Sequence, residues 1–252
     1  MTERVALGTC VVNAGLWEPI ALASEVATLD VVSGGRALLG LGAGHTPAEW
    51  EAVGQVVPPA GERVDRLEQV VAVVGRLLAG EEVTVAGPHV RAVGARLAGP
   101  RPVQDRVPLM VGGAGRRVLA LGAREADVVG VTGMGRTRAD GHRHAVHWSE
   151  PDLDASFAGL RQAIAAAGTA PSIEALVQHV EVTDAPEAAA AAMAERLGDV
   201  DPAHLLDGPY VWFGTIEGIA DQLRRHRERW GVDRYVVRPP ALDAATEILR
   251  VL

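Results

Sequence analysis

Short, continuously apolar runs alternate along this chain with longer segments in which apolar residues recur every three or four positions. The first run, residues 5–12 (VALGTCVV), is rich in Val and bounded by charge and by Asn13-Ala14-Gly15. That is the pattern of a strand buried on both faces. Residues 19–32 place Ile20, Ala23, Ala27 and Val31 at helical spacing behind Pro19, whose missing N–H suits a helix start. Ser33-Gly34-Gly35 ends that helix, and residues 37–41 (ALLGL) predict a second strand. One or two helical turns are expected over 47–53. A long amphipathic helix is expected over 63–78, with Val64, Leu67, Val70, Val71, Val74 and Leu78 along one side. Residues 81–107 read as an irregular excursion, with β-like pieces at 83–85 and 89–92.

The alternation resumes with a strand at 108–111, a glycine turn, a helix over 116–125 and a strand at 127–131. Residues 132–152, rich in Gly, Arg and His, predict a mobile loop. Then come a helix over 153–167, a strand over 173–182, an Ala-rich helix over 185–197, a strongly periodic helix over 216–230, a strand at 234–237 and a helix over 241–249. Strand–helix repetition implies an α/β fold with a parallel sheet and helices outside it. Six strong strands result. They suit either an open, doubly wound sheet or a (β/α) barrel short of the eight strands that close one. The length, 252 residues, favours a single domain over 1–252.

Composition narrows the chemistry. A net charge of −8 argues against a general nucleic-acid or anionic-membrane surface. A single Cys rules out an intrachain disulfide and a Cys-based zinc site. All 24 basic residues are Arg, so a P-loop lysine, a Schiff-base lysine and a lysine general base are impossible. Gly, Pro or a charge interrupts every apolar run before membrane-spanning length, and the start shows no signal-peptide pattern. A cytoplasmic enzyme with a small-molecule substrate, and with neither nucleic acid nor membrane as partner, is the expectation.

Several segments together resemble the luciferase-like flavin and deazaflavin oxidoreductases. GTCVV at 8–12 is similar to the third-strand motif of that family. LASEVATLDVVSGGRALLGLGAG at 22–44 is the most specific stretch, Arg66-Leu67-Glu68 resembles the next helix, and PLMVGGAGRRVLALGAREADVVGV at 108–131 resembles the fifth and sixth strands. Phe213-Gly214-Thr215 before IADQLRR resembles the C-terminal helix start, and the deazaflavin-dependent branch is the most similar. The resemblance implies a TIM-type barrel, here incomplete at the N-terminus because the family's first two β/α units have no counterpart. It implies coenzyme F420 (a deazaflavin) or FMN as cofactor, bound at the C-terminal mouth, and a homodimer.

The same resemblance points to site residues. It implies a non-prolyl cis peptide at Cys10–Val11 behind the cofactor ring, with Gly8 and Thr9 allowing close approach and Asn13 placed to donate to a ring carbonyl. Gly112-Gly113-Ala114-Gly115 joins a strand to a helix, where backbone N–H groups and the helix dipole suit a phosphate, with Arg116 and Arg117 adding charge. Read alone, the same glycines are equally a packing turn. Gly42-Ala43-Gly44 closes another strand, and His45 after it occupies a position held in some relatives by a proton-donating Glu; His does acid–base work near neutral pH. His142, His144 and His147 with Trp148 read as loop, with no carboxylate between them to favour metal, and no metal site is expected. Arg238, just past the last strand, is placed to face a phosphate or carboxylate. Two functions stay open at this point: a luciferase-like oxidoreductase, and a non-catalytic flavin-binding or structural homologue that lacks the N-terminal catalytic units.

Overall fold

The computed structural model describes residues 2–137, 144–198 and 200–252. The N-terminal apolar run forms two short strands, β1 (Leu7–Gly8) and β2 (Val12–Asn13), with a cis peptide at Cys10–Val11 between them. Helix α1 (Pro19–Ser33) follows and ends on Gly34 and Gly35, at φ 71 and 81. Two successive left-handed residues are a conformation that suits glycine. Strand β3 (Ala37–Gly42), the short helix α2 (Pro47–Ala52) and the long helix α3 (Ala60–Leu78) come next. The expected excursion contains an antiparallel hairpin, β4 (Val83–Ala86) with β5 (Arg91–Ala95).

Strand β6 (Leu109–Gly113), helix α4 (Arg116–Glu125) and strand β7 (Val128–Val131) match the predicted unit closely. Past them lies β8 (Met134–Thr137), antiparallel to β9 (His144–Val146), so the region expected as loop carries a hairpin. Helix α5 (Glu150–Ala167) starts on Ser149, whose Oγ accepts the Asp152 N–H at 3.3 Å. The run expected as one strand over 173–182 is two: β10 (Ser172–Leu176) and β11 (His179–Val182). Helices α6 (Pro186–Leu197) and α7 (Pro202–Asp207), strand β12 (Val211–Gly214), helix α8 (Ile216–Trp230), strand β13 (Val232–Val236) and helix α9 (Leu242–Val251) complete the chain. Helix α7 and strand β12 are additions to the predicted elements.

The main sheet is parallel throughout, in the order β1-β3-β6-β7-β10-β13, with β2 also on β3. Counting β1 and β2 as one interrupted strand gives six positions in a curled half-barrel, the incomplete TIM-type architecture expected. The split of β10 from β11 has a clear cause, because the partner changes. The Val177 N–H still bonds the Val236 carbonyl (2.9 Å), whereas the Gln178 N–H bonds Tyr210 (2.7 Å), and β11 then runs parallel to β12.

Strand residues alternate between faces. Leu39, Leu41 and Val111 pack outward with Leu67, Val70 and Val74 of α3. Val129, Val131, Ile173 and Ala175 join Phe157 and Trp230 in a second outward core, where the two rings stack at 5.3 Å. The opposite, concave face of β3, β6 and β7 carries Gly40, Gly42, Met110, Gly112 and Gly130. The absence of side chains on these glycines leaves room for the Thr9–Val11 segment and for the end of Met110.

Candidate functional site in the half-barrel mouth

The break between β1 and β2 advances the first strand by four residues, Gly8 to Val12, while β3 advances by three, Leu38 to Leu41. The extra residue makes a bulge that pushes the Cys10–Val11 segment toward the concave face. Glycines receive it. A Cβ on Gly40 would lie 2.0 Å from the Thr9 carbonyl oxygen. A Cβ on Gly42 would lie 2.6 Å from Val11 Cγ2, and one on Gly112 2.9 Å from Val11 Cγ1. Val11 is thus wedged against two neighbouring strands, yet 40% of its surface remains open to the mouth. Cys10 beside it is exposed. Burial of the thiol and the nearby Glu174 charge raise its pKa against the opposing effect of Arg238, so it stays a neutral thiol, a poor nucleophile.

At the end of β2, Asn13 is bonded within the protein through both ends of its amide. Its Oδ1 accepts the Gly15 N–H (2.9 Å) and its Nδ2 donates to Glu49 of α2 (3.0 Å). These bonds tie the bulge to α2, and the expected donation to a ring carbonyl would fall to the second N–H of Nδ2. Gly44, at φ 71, lets this amide lie against it, since a Cβ there would fall 2.1 Å from Asn13 Oδ1. The Gly44 carbonyl accepts a hydrogen bond from Arg63, whose guanidinium is partly desolvated and whose pKa is lowered by burial. His45 follows on the exposed side of this turn. Along this seam Thr9 lies on Gly40, Val11 on Gly42 and Asn13 on Gly44, while Gly8 opposes Leu38 where the pairing begins.

The other glycine cluster lies one strand further on. Gly112 and Gly113 end β6 and Gly115 is the N-cap of α4, so no side chain caps that helix start. Arg116 is exposed in the first turn. Arg117 is turned away, bonded to Asp65 (2.6 Å) and Glu68 (3.1 Å) of α3, which raises its pKa. It belongs to the α3–α4 contact, a correction to the expectation that it adds charge for phosphate. Gly113 and Ala114 form one wall of a cavity of about 200 Å³, completed by Leu119, Val131, Leu153 and Tyr210 with His147, Asp152 and Ser156 at polar positions. Tyr210 is buried and its pKa is raised by that burial. It was missed in the sequence, where the aromatic cluster Tyr210–Phe213 was its available signal. Trp148 is buried beside it, at 5.7 Å between rings.

The histidine-rich segment is only partly described: residues 138–143, with His142, lie outside the described residues, as does the His144 side chain. Among the described residues no group of three His, Cys, Asp or Glu is arranged to hold a metal, and no helix is long and apolar enough to cross a membrane.

On the concave face of β10 and β13 runs a polar ladder, of which Arg238 alone stands out in the sequence. Glu174, only 6% exposed, pairs in register with Arg234, whose Nε donates to it at 3.2 Å. Two residues on, Leu176 opposes Val236. Beyond the strand ends, Arg238 donates to Gln178 Oε1 at 3.1 Å. A register shift between Ile173 and Glu174 sets this pairing.

The family model for luciferase-like monooxygenases matches residues 1–234. Among curated proteins, the chain is 35% identical over 127 residues to the F420-dependent glucose-6-phosphate dehydrogenase of Microbacterium testaceum (strain StLB037), and the match takes in 50% of this chain and 37% of that protein. The corresponding enzyme of Kineococcus radiotolerans (strain ATCC BAA-149 / DSM 14245 / SRS30216) is 36% identical over 127 residues, again 37% of its length. The matches therefore span well under half of these relatives. Among solved structures, an F420-dependent secondary alcohol dehydrogenase in complex with an F420-acetone adduct superposes with TM-score 0.76 at 18% identity, over 100% of this chain and 79% of that one. The coenzyme F420-dependent tetrahydromethanopterin reductase of Methanopyrus kandleri gives TM-score 0.73 at 20% identity, over 98% and 81%. With the half-barrel, the bulge at Cys10–Val11 and the glycine-lined mouth, these findings place the chain in the luciferase-like monooxygenase family.

Proposed function

We propose that the chain is an oxidoreductase that uses reduced coenzyme F420 or FMN on a small organic substrate, with F420 favoured by the F420-dependent relatives. The observation that carries this reading is the Val11 wedge. An exposed, rigid β-branched side chain held against Gly42 and Gly112 gives a flat backing in an otherwise glycine-lined mouth. The residues fit such a group in a second respect. The first turn of α4 has no side-chain cap, opens beside a cavity edged by Gly113 and Ala114, and carries Arg116. Its N–H groups would hold a cofactor phosphate. When bound, the cofactor supplies hydride chemistry as F420 or oxygen activation as FMN. The protein supplies orientation, exclusion of water and, at His45, a group that moves a proton near neutral pH.

Titration of the protein with F420 and with FMN, followed by fluorescence quenching, tests the reading. Saturable binding of one is expected, and Gly42→Ala, which drives a methyl into Val11, is expected to weaken it while the fold persists. Failure of both cofactors to bind a folded sample sinks the proposal and favours a non-catalytic homologue. His45→Ala is expected to slow turnover and leave cofactor binding intact. We also propose a homodimer, because β1 and β13 present open parallel edges that are poorly tolerated in solution. A monomer by light scattering would count against it.

A further inference from the structure

The ladder on β10 and β13 is absorbed by neither the cofactor cradle nor the core. Its position follows from strand alternation. Ile173, Ala175, Val177, Tyr235 and Val237 pack outward against the helices. Glu174, Leu176 and Gln178, with Arg234, Val236 and Arg238, therefore face the concave side. The register shift after Ile173 lines them up in pairs. The charges of Glu174 and Arg238 both act on the Cys10 thiol of the first strand, in keeping with a shared concave side.

Charge along the ladder is unbalanced. Glu174 is matched by Arg234, at 3.2 Å. Arg238 has no carboxylate partner among the described residues, and its bond goes to the neutral Gln178 Oε1, which fixes the guanidinium at the mouth. The other end of the same amide, Gln178 Nε2, is buried and has no hydrogen-bond partner among the described residues. A buried amide N–H without an acceptor costs free energy unless something fills its place. A guanidinium fixed beside an orphaned N–H₂ offers donors and a positive charge to an acceptor that carries negative charge.

We infer that Arg238 and Gln178 form an oxoanion subsite at the half-barrel mouth, which takes the carboxylate or phosphate of the substrate. The planar fork of Arg238 suits either oxoanion in a two-pronged contact, and Gln178 Nε2 supplies a further donor. Seen as a substrate site, the inference rests on the oxidoreductase reading. As an anion site it stands apart from that reading. It assigns the substrate class as acidic, with its charged end at Arg238 and the rest of the molecule directed along the concave face toward Val11.

Calorimetric titration of the cofactor-free protein with inorganic phosphate and with succinate tests this. The panel comprises the wild type, Arg238→Gln, Gln178→Leu and, as a control at the other phosphate-suited position, Arg116→Gln. Saturable binding of at least one anion is expected. It should weaken about tenfold or more in Arg238→Gln, weaken in Gln178→Leu and persist in Arg116→Gln. No binding by the wild type overturns the inference. So does equal binding by Arg238→Gln, or a loss confined to Arg116→Gln. Circular dichroism checks the fold, and Gln178→Leu carries the test should Arg238→Gln fail to fold. Titrating F420 and FMN into the same samples separates the two readings. Anion binding at Arg238 without cofactor binding sinks the oxidoreductase proposal and leaves the subsite, and the converse leaves the cofactor site alone.

Discussion

The hydroxyl of Thr9 is bonded to both backbone groups of Gly40: it donates to the Gly40 carbonyl at 2.8 Å and accepts the Gly40 N–H at 3.0 Å. Past the Thr9 N–H, which bonds the Leu38 carbonyl at 3.4 Å, the first strand leaves β3 until Val12, so the backbone ladder lapses there. The Thr9 side chain takes its place. Thr9→Val, equal in shape, deprives two β3 groups of their partner and is expected to cost about 1–3 kcal/mol, read as a lower urea midpoint. It should also weaken cofactor binding, because the segment that presents Val11 loses its anchor. Thr9→Ser retains the hydroxyl and should recover most of both effects; if it behaves as Val does, the hydroxyl is not what holds the bulge.

Much of the frame was legible because it rests on local pattern. Helix α4 runs over the predicted residues, and α1 extends one residue past its expected end, because helical periodicity, Pro starts and glycine stops are written in neighbouring residues. The break at Cys10–Val11 follows from family likeness, since an isolated VALGTCVV run reads as an uninterrupted strand, whereas its seat against Gly42 and Gly112 shows only in the fold. The Glu174–Arg234 and Gln178–Arg238 pairs were hidden because they depend on register between strands about sixty residues apart, shifted by an irregularity no local signal marks. Arg117 was misassigned for a similar reason: its acidic partners lie on another helix, about fifty residues upstream.

Asp30 is a buried carboxylate without a cationic partner among the described residues, and it should fail characteristically when neutralised. Burial works to raise its pKa, but donors from the Gln104 backbone and side chain, Ala37 and Val103, at 2.6–3.1 Å, outweigh it and hold the carboxyl below the usual range. These bonds pin the end of α1 to β3 and to the segment before β6. Asp30→Asn puts an N–H₂ among N–H donors and is expected to cost about 2–4 kcal/mol. Because the folded pKa is depressed, the stabilisation is complete above about pH 4 and is lost as pH falls through the folded value. Urea midpoints measured below pH 4 should therefore decline less steeply for the variant.

His226 predicts a second, separate acid limb. The ring stacks on Trp230 at 5.2 Å, its Nε2 faces the Asp207 carbonyl at 3.0 Å and its Nδ1 lies 3.3 Å from the Tyr235 hydroxyl. A carbonyl only accepts, so Nε2 carries the proton and Nδ1 accepts from Tyr235. Burial, aided by the Arg225 charge and opposed by the Asp207 hydrogen bond, pushes its pKa down to about 4. The unfolded chain, with a pKa near 6.5, binds the proton more readily. Stability should then fall as pH drops from about 6.5 to about 4, by roughly 3 kcal/mol. His226→Gln should remove that slope, and an unchanged slope would assign it to another group.

Arg66 of α3 joins two stretches of chain, the turn after β2 and the loop of the β4–β5 hairpin. Its guanidinium donates to the carbonyls of Ala14 (3.1 Å), Trp17 (2.9 Å) and His89 (2.6 Å), and its side chain is only 20% exposed. The turn after β2 is thereby fastened to the loop of the β4–β5 hairpin, and the bulge that precedes it is held from behind. Arg66→Ala leaves three carbonyls without their charged donor and is expected to cost about 2–4 kcal/mol. Arg66→Lys should restore only a minor part, because an ammonium on a flexible stem is a point donor and cannot span three acceptors as a planar fork does. Chemical denaturation orders the variants, and amide exchange near Ala14 and His89 should quicken in both. A lysine variant as stable as the parent would show that charge alone, without the fork, holds these loops together.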